Sequence, residues 1–198
     1  MKTQGESKFI REMYKKFRVP KHVLMHMKKV TEVCRVLADS LEKKGIKIDK
    51  TSLINAAKLH DVLRTCDFLR VDPKSFQQRV TKKDLAVWGD LQKKYGKIGH
   101  EKAMYMILRK MSENKLANLV LKHDFWRIGE LKTWEEKILY YADKRVEGTR
   151  VVTLRKRFEE GKKRNAKKGE DPKRRIDTEN KVIMLEKEFK KILGKLPI

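Results

Sequence analysis

Four histidines and an aspartate fall where a helical pattern would bury them. His26 lies four residues before Val30, and His60 lies four residues after Ala56, so each extends an apolar stripe at helical spacing. The same pattern places three further polar groups at the ends of apolar stripes, namely His100, His123 and Asp143. A single buried histidine is more often a satisfied core residue than a ligand. Five such groups on five helices satisfy one another best through a shared cation, because an unpartnered buried imidazole or carboxylate is strongly destabilising.

The adjacent pair His60-Asp61 adds a second carboxylate to this set. Neighbouring side chains on a helix point about 100° apart, so both can reach one ion only if the ion lies off the end or the side of the helix. The dipeptide alone is a weak motif, and it gains weight beside the other four groups. Imidazole together with carboxylate favours Mn, Fe, Co, Ni or Zn, and Mg is possible where carboxylates dominate.

Apolar periodicity predicts helices and no strand of useful length. Asp49, Thr81 and Thr133 are suited to begin helices, and Gly45 to end one. The predicted helices span about 21–44, 51–60, 81–88, 100–111, 115–125, 133–160 with a break near Gly148, and 178–193. Only four prolines and ten glycines interrupt the chain. We therefore predict an all-α fold, a compact helical bundle with a C-terminal extension helix.

The chain carries 51 Lys and Arg against 27 Asp and Glu, a formal net charge of +24. This excess predicts attraction to polyanions without choosing among nucleic acid, nucleotides and anionic surfaces. Composition divides the chain into an N-terminal basic segment (1–19), a main helical domain (20–160), a basic linker (161–177) and a C-terminal helix (178–198) that packs back on the domain.

The sequence also indicates a location. No apolar run of about 18 residues could span a bilayer, and the N-terminus has no apolar block typical of a secretory signal. Cys34 and Cys66 both fall within apolar helical patterns and are expected to be reduced. We therefore expect a cytoplasmic protein with no membrane partner.

The order of these motifs resembles the HD-domain superfamily of metal-dependent phosphohydrolases. It consists of a lone His26 in segment 22–30, the pair His60-Asp61 in segment 59–64, and a distal Asp143 followed by Lys144 in segment 140–146. Two further histidines, in Gly99-His100-Glu101 and Leu121-Lys122-His123, resemble those of members that hold two metal ions. Residues 148–158 resemble the tail of an HDIG-like subgroup. The resemblance covers about residues 20–160.

The resemblance implies a centre of one or two divalent ions. It assigns the first ion to His26, His60, Asp61 and Asp143, and lets Asp61 bridge to a second ion held by His100 and His123. Asp61, Lys144 and Arg64 are the implied catalytic residues, with Arg64 and Lys144 contacting phosphate. Many members have lysine at the position of Arg64, and a guanidinium serves a phosphate equally well. The acidic dipeptide of guanosine polyphosphate hydrolases is replaced here by Arg64-Thr65, which weakens that assignment.

Three functions follow from these observations. The leading one is hydrolysis of a phosphoester or phosphoanhydride bond in a phosphorylated small molecule, nucleotide-like in character, by a water that the metal activates. The alternative is a nuclease or cyclic-nucleotide phosphodiesterase that uses the basic surface to hold its substrate. The third is a non-catalytic, basic nucleic-acid-binding module with structural histidines.

Overall fold

The computed structural model describes residues 7–68, 76, 78–165 and 171–198, and within them the regular secondary structure is almost entirely helical. The helices are α1 (Lys8–Lys16), α2 (Lys21–Glu42), α3 (Lys50–Leu59), α4 (Lys82–Tyr95), α5 (His100–Lys110), α6 (Asn114–Leu121), α7 (Trp134–Arg145), α8 (Leu154–Asn165) and α9 (Pro172–Leu193). Short 3₁₀ helices occupy Arg64–Asp67 and Phe125–Glu130. A two-residue hairpin, β1 (Val146–Glu147) and β2 (Arg150–Val151), separates α7 from α8. The predicted all-α fold is confirmed.

The predicted helix starts are confirmed by side-chain caps. Asp49 accepts a hydrogen bond from the Ser52 backbone N–H at 3.0 Å, which satisfies a free donor at the start of α3. Thr81 and Thr133 begin α4 and α7 with complete capping boxes. The predicted helix from 133 to 160 is interrupted at Arg145, because the hairpin turns the chain at Gly148, whose φ of 57° suits glycine.

The core is built around α2. Its predicted stripe is buried throughout, in residues Val30, Val33, Cys34, Leu37, Ala38 and Leu41. Helices α3 and α7 pack against α2, and α6 packs against α3. Each fully buried Leu contributes about 2 kcal/mol of burial free energy relative to exposure. Cys34 and Cys66 are buried and form no disulfide.

The N-terminal helix belongs to this core. Helix α1 buries Ile10 and Met13 and packs on α3, where the Tyr14 hydroxyl donates to the Lys58 carbonyl at 2.8 Å. Residues 8–16 are thus an amphipathic helix within the segment 1–19 that was predicted only as basic. Residues 1–6 lie outside the described part of the chain.

The C-terminal helix begins earlier than predicted. Helix α8 extends to Asn165 and α9 starts at Pro172, so the predicted linker 161–177 is helical at both ends, while 166–170 lies outside the described residues. Asp171 caps α9 by accepting from the Lys173 N–H at 2.9 Å, and proline suits the first helical position. Lysine and arginine are good helix formers, so a basic run does not by itself indicate a linker.

Helix α9 lies against α7 and α2. The Phe189 ring stacks on Tyr141 with ring centroids 4.9 Å apart, and both residues are fully buried. Glu186 accepts from the Tyr141 hydroxyl at 2.7 Å and pairs with Arg145 at 3.2 Å. These contacts tie α9 to the end of the helix that carries Asp143.

No helix among the described residues is long and apolar enough to cross a bilayer.

Candidate metal centre

The structure brings all six predicted ligands together in the interior. On one side, His26 Nε2 lies 3.0 Å from Asp143 Oδ1. His60 Nε2 lies 3.7 Å from the same oxygen and 3.8 Å from Asp61 Oδ2. His26 Nε2 is also 3.8 Å from Asp61 Oδ2. This group of atoms could hold one ion.

The second side is organised around the other oxygen of the same aspartate. Asp61 Oδ1 lies 2.9 Å from His100 Nε2 and 3.7 Å from His123 Nε2. The two imidazole Nε2 atoms are 3.3 Å apart. Each oxygen of Asp61 therefore faces its own pair of histidines, so this one carboxylate belongs to both groups of donor atoms.

The ligands come from five places in the fold. His26 lies on the second turn of α2, and Asp143 on the last turn of α7. Helix α3 ends at Leu59, so His60 and Asp61 lie in the turn that follows rather than on regular helix. From this turn both side chains reach the centre. His100 is the first residue of α5, and His123 follows the end of α6.

All four histidines direct Nε2 towards the centre and Nδ1 towards an oxygen acceptor outside it. A carbonyl or carboxylate oxygen can only accept, so each Nδ1 donates its proton to such an oxygen, and each Nε2 faces the centre, where a bound cation would take the place of any proton. The Nδ1–H partners are Gly148 O for His26 (3.2 Å), Ala57 O for His60 (2.8 Å), Asp67 Oδ2 for His100 (2.5 Å) and Val120 O for His123. The centre therefore presents four imidazole nitrogens and two carboxylates.

These donors fit divalent metal ions. His60 Nε2 is buried and has no hydrogen-bond partner among the residues that the structure describes, which is unfavourable unless a cation meets it. Overlapping triads here have their donor atoms within 4.8 Å of one another, and they are His26–His60–Asp143, His60–Asp61–His123 and His100–Glu101–His123. Nitrogen and oxygen donors in this ratio suit first-row transition metals.

The electrostatics of the centre favour a bound cation. Burial raises the pKa of Asp61 and Asp143, but the charges and hydrogen bonds of His60, Lys144 and their neighbours lower it more, so both pKa values lie well below the usual range. Burial lowers the pKa of His100, but Glu101 and the carboxylates bonded to the ring raise it to about 10. The carboxylates thus stay ionised, and positive charge is strongly favoured at His100, whether from a proton or a metal.

The two predicted phosphate-binding cations lie in different surroundings. The Arg64 side chain is 36% exposed, and its Nη1 lies 3.3 Å from both ring nitrogens of His100 and 3.5 Å from Asp67. Lys144 is buried, and its Nζ donates to Asp143 Oδ2 at 2.7 Å and to the His123 carbonyl at 3.0 Å. Arg64 therefore faces the outside of the centre, whereas Lys144 faces into the protein.

Comparison with known families agrees with this geometry. The HD domain family model matches residues 23–147, well over half of the chain and a range that includes all six predicted ligands. The chain belongs to the HD domain family. This family consists generally of hydrolases that depend on divalent metal ions. No curated protein and no solved structure matches the chain.

Some hydrogen-bond partners that hold the predicted ligands in place were not indicated by the sequence pattern. Asp67 and the Gly148 carbonyl orient two of the histidines, and Glu101 Oε2 lies 3.1 Å from His100 Nδ1. Glu101 directly follows a predicted ligand, so its position was a usable signal. Asp67 and Gly148 lie in a 3₁₀ helix and a hairpin turn, where no helical periodicity identifies the inward side.

His22 is not part of the HD centre. Its ring is exposed one turn before His26 and packs against Phe68, with centroids 6.3 Å apart and planes 21° apart. It also meets the edge of Phe76 at 5.3 Å. His22 therefore belongs to an aromatic group beside the centre.

Proposed function

We propose that this HD domain is a metal-dependent phosphohydrolase that cleaves a phosphoester or phosphoanhydride bond of a nucleotide-like substrate. One observation carries the proposal: four imidazole Nε2 atoms and two ionised carboxylates converge in a buried centre with Arg64 beside it. The Nε2 lone pairs and the carboxylate oxygens carry negative or partial negative charge and repel one another. A divalent cation among them would remove this repulsion, so the cluster is suited to divalent cations. A phosphate is the substrate group that cations and a guanidinium recognise together.

The residues divide into two subsites that share Asp61. His26, His60, Asp61 and Asp143 would hold one ion, and Asp61, His100 and His123 the other. Bound divalent ions lower the pKa of a coordinated water and neutralise charge on phosphoryl oxygens. The chain itself supplies the fixed ring orientations and keeps both carboxylates ionised, so the centre needs little rearrangement during reaction.

Substrate is expected to approach from the side of Arg64. His60 and His100 are fully buried, whereas Arg64 has a third of its side chain exposed. Its planar donors can engage two oxygens of one phosphoryl group. The neighbouring rings of His22 and Phe68 offer an apolar, aromatic surface that supports a nucleobase as the remainder of the substrate.

Lys144 is proposed to have a positioning role. Its ammonium lies between Asp143 Oδ2 and the His123 carbonyl, so it links a ligand of each subsite. A lysine held by two buried acceptors is poorly placed to contact substrate. We infer that it fixes the Asp143 carboxylate with Oδ1 turned towards His26 and His60.

Turnover of a nucleotide and phosphoester panel with Mn²⁺, Co²⁺, Ni²⁺ or Mg²⁺ tests the proposal. Asp61→Ala should abolish hydrolysis, because both subsites lose their shared carboxylate. Asp90→Asn, an exposed acid on α4, is the matched control and should retain full activity. Hydrolysis that survives in Asp61→Ala would reject the centre. A wild-type chain that binds RNA in a salt-sensitive manner but turns over no substrate would favour the non-catalytic reading.

A polynucleotide is the second candidate substrate. The basic helix α8 begins six residues after Gly148, whose carbonyl holds His26, and it exposes Arg155 (90%) and Lys156 (57%). The charge near the centre could therefore guide a phosphate backbone. Arg155→Gln with Lys156→Gln should weaken RNA cleavage but not cleavage of a small phosphoester. Equal effects on both substrates would argue against a nuclease. Deletion of α9 is unsuitable because it would expose Tyr141.

A further inference from the structure

The four histidines of the centre differ in what lies behind them. His26, His60 and His123 each donate Nδ1–H to a neutral backbone carbonyl. His100 alone donates to a side-chain carboxylate, that of Asp67, at 2.5 Å. A carboxylate behind an imidazole fixes the ring more firmly than a carbonyl and makes Nε2 a stronger ligand. The His100–His123 half therefore has a carboxylate that orients one of its histidines, and the His26–His60 half has none among the described residues.

Asp67 is itself held in place by two further donors. Its Oδ1 accepts from the His100 backbone N–H at 3.1 Å and from the Cys66 thiol at 3.3 Å, while Oδ2 meets the ring. One carboxylate thus accepts hydrogen bonds from both the main chain and the side chain of His100. The 3₁₀ helix that ends at Asp67 follows the turn that carries Asp61, so a single segment supplies the bridging ligand and the group behind His100.

Charge is also distributed unequally between the halves. Glu101 Oε2 lies 3.1 Å from the same Nδ1 atom, so two carboxylates face the outer side of the His100 ring. Arg64 lies against the ring and balances part of this charge. On the other side, Lys144 pairs with Asp143 at 2.7 Å and reduces the negative charge there.

We propose that Asp67 is a positioning residue that sets the affinity of the His100–His123 half for its ion, and that the His26–His60 half does not depend on it. The proposal rests on the proposed function, since it takes the two halves as ion subsites. Asp67 acts through His100, by fixing the ring and strengthening Nε2 as a ligand. Its effect is therefore confined to one of two binding steps.

The test is titration of Co²⁺ into metal-free protein. Binding is monitored by calorimetry and by the visible absorption bands of the bound ion. Asp67→Asn keeps an acceptor for the His100 backbone N–H but removes the charge. It should weaken one binding step about 10- to 100-fold and leave the other unchanged. Asp67→Glu, which restores the charge, should recover part of the loss. Asp49→Asn is the control, because Asp49 caps α3 without touching a histidine.

Several outcomes separate this proposal from the proposed function. If both metal affinities are unchanged in Asp67→Asn, the proposed role of Asp67 is wrong. If both are weakened equally, the role is also wrong, because the contribution of Asp67 is then merely structural. A lower thermal midpoint of metal-free Asp67→Asn with both affinities intact would identify Asp67 as a helix cap only. A wild-type chain that binds two ions with a step-specific effect of Asp67→Asn, yet hydrolyses no phosphoester, would reject the proposed function alone.

Discussion

His60 Nε2 and Asp143 Oδ1 lie 3.7 Å apart, although they belong to segments more than 80 residues apart in the chain. The separation is too long for a hydrogen bond, but two atoms at this distance can both lie about 2 Å from one metal ion. His60 Nε2 has no hydrogen-bond partner among the described residues. The separation therefore supports the proposal that both atoms would bind one ion.

Replacement of Arg64 and replacement of Lys144 are predicted to have different effects. Arg64→Met should lower kcat/KM about 100-fold with metal content unchanged, because it removes a donor to the phosphoryl group. Lys144→Met should instead reduce the metal bound per chain and the free energy of unfolding, because Asp143 loses a donor at 2.7 Å.

Elemental analysis, kinetics and denaturant unfolding of the two variants check this prediction. Equal metal loss in both would contradict the separate roles. A Lys144→Met protein with full metal content and no turnover would place Lys144 on the substrate.

The hairpin turn is predicted to support His26. Gly148 has a φ of 57°, and an alanine there is strained by about 1 kcal/mol even though nothing lies within 4 Å of its added Cβ. Gly148→Ala should lower both stability and metal affinity, because the Gly148 carbonyl orients His26. Gly45→Ala carries comparable strain at a φ of 83° and is the matched control.

Thermal unfolding and metal titration of both glycine variants test the turn. Gly45→Ala should lose stability only. The same change in metal affinity in both variants would show that the Gly148 carbonyl has no specific role.

Acid is predicted to destabilise α7 through Glu136. This buried carboxylate pairs with Lys122 at 2.6 Å and accepts from the backbone N–H groups of Lys132 and Thr133. Burial raises the pKa of Glu136, but these partners lower it below the usual value. A depressed pKa stabilises the fold above the unfolded-state pKa, and that stability is lost as pH falls through the folded-state pKa.

The comparison of wild type with Glu136→Gln isolates this charge, since glutamine keeps the capping box. The variant should lose about 1 kcal/mol at pH 7. Its unfolding free energy should also change less with pH below the usual glutamate pKa of about 4.3. Urea unfolding at several pH values is the measurement. Parallel pH profiles for the two proteins would show that Glu136 contributes nothing through its charge.

Where helices carry them, the sequence correctly predicted which polar side chains face the interior. On a helix, apolar neighbours three and four residues away fix which side chains face inward, and this rule found His26 and Asp143. The partners behind the ligands come from non-local contacts, such as the pairing of His26 with Gly148 across 122 positions. Such contacts leave no periodic signal, so the roles of Asp67 and the Gly148 carbonyl as hydrogen-bond partners of the histidines were not predicted.

The sequence did not predict the orientation of the Lys144 side chain or the helical structure of the basic run before α9. Lys144 follows Asp143 directly, but its inward orientation depends on the His123 carbonyl, 21 residues away. The basic run before α9 suggested a linker, yet Asp171 and Pro172 begin a helix there. Net charge reports attraction to polyanions and does not determine secondary structure.

The number of metal ions bound per chain tests the central claim most directly. Wild-type protein and Asp61→Ala would be incubated with Mn²⁺, freed of unbound ion and measured by elemental analysis. The proposed centre predicts about two ions per wild-type chain and a clear loss in Asp61→Ala, because one carboxylate serves both subsites. A wild-type chain with no stoichiometric metal, or an Asp61→Ala chain with the full amount, would contradict it.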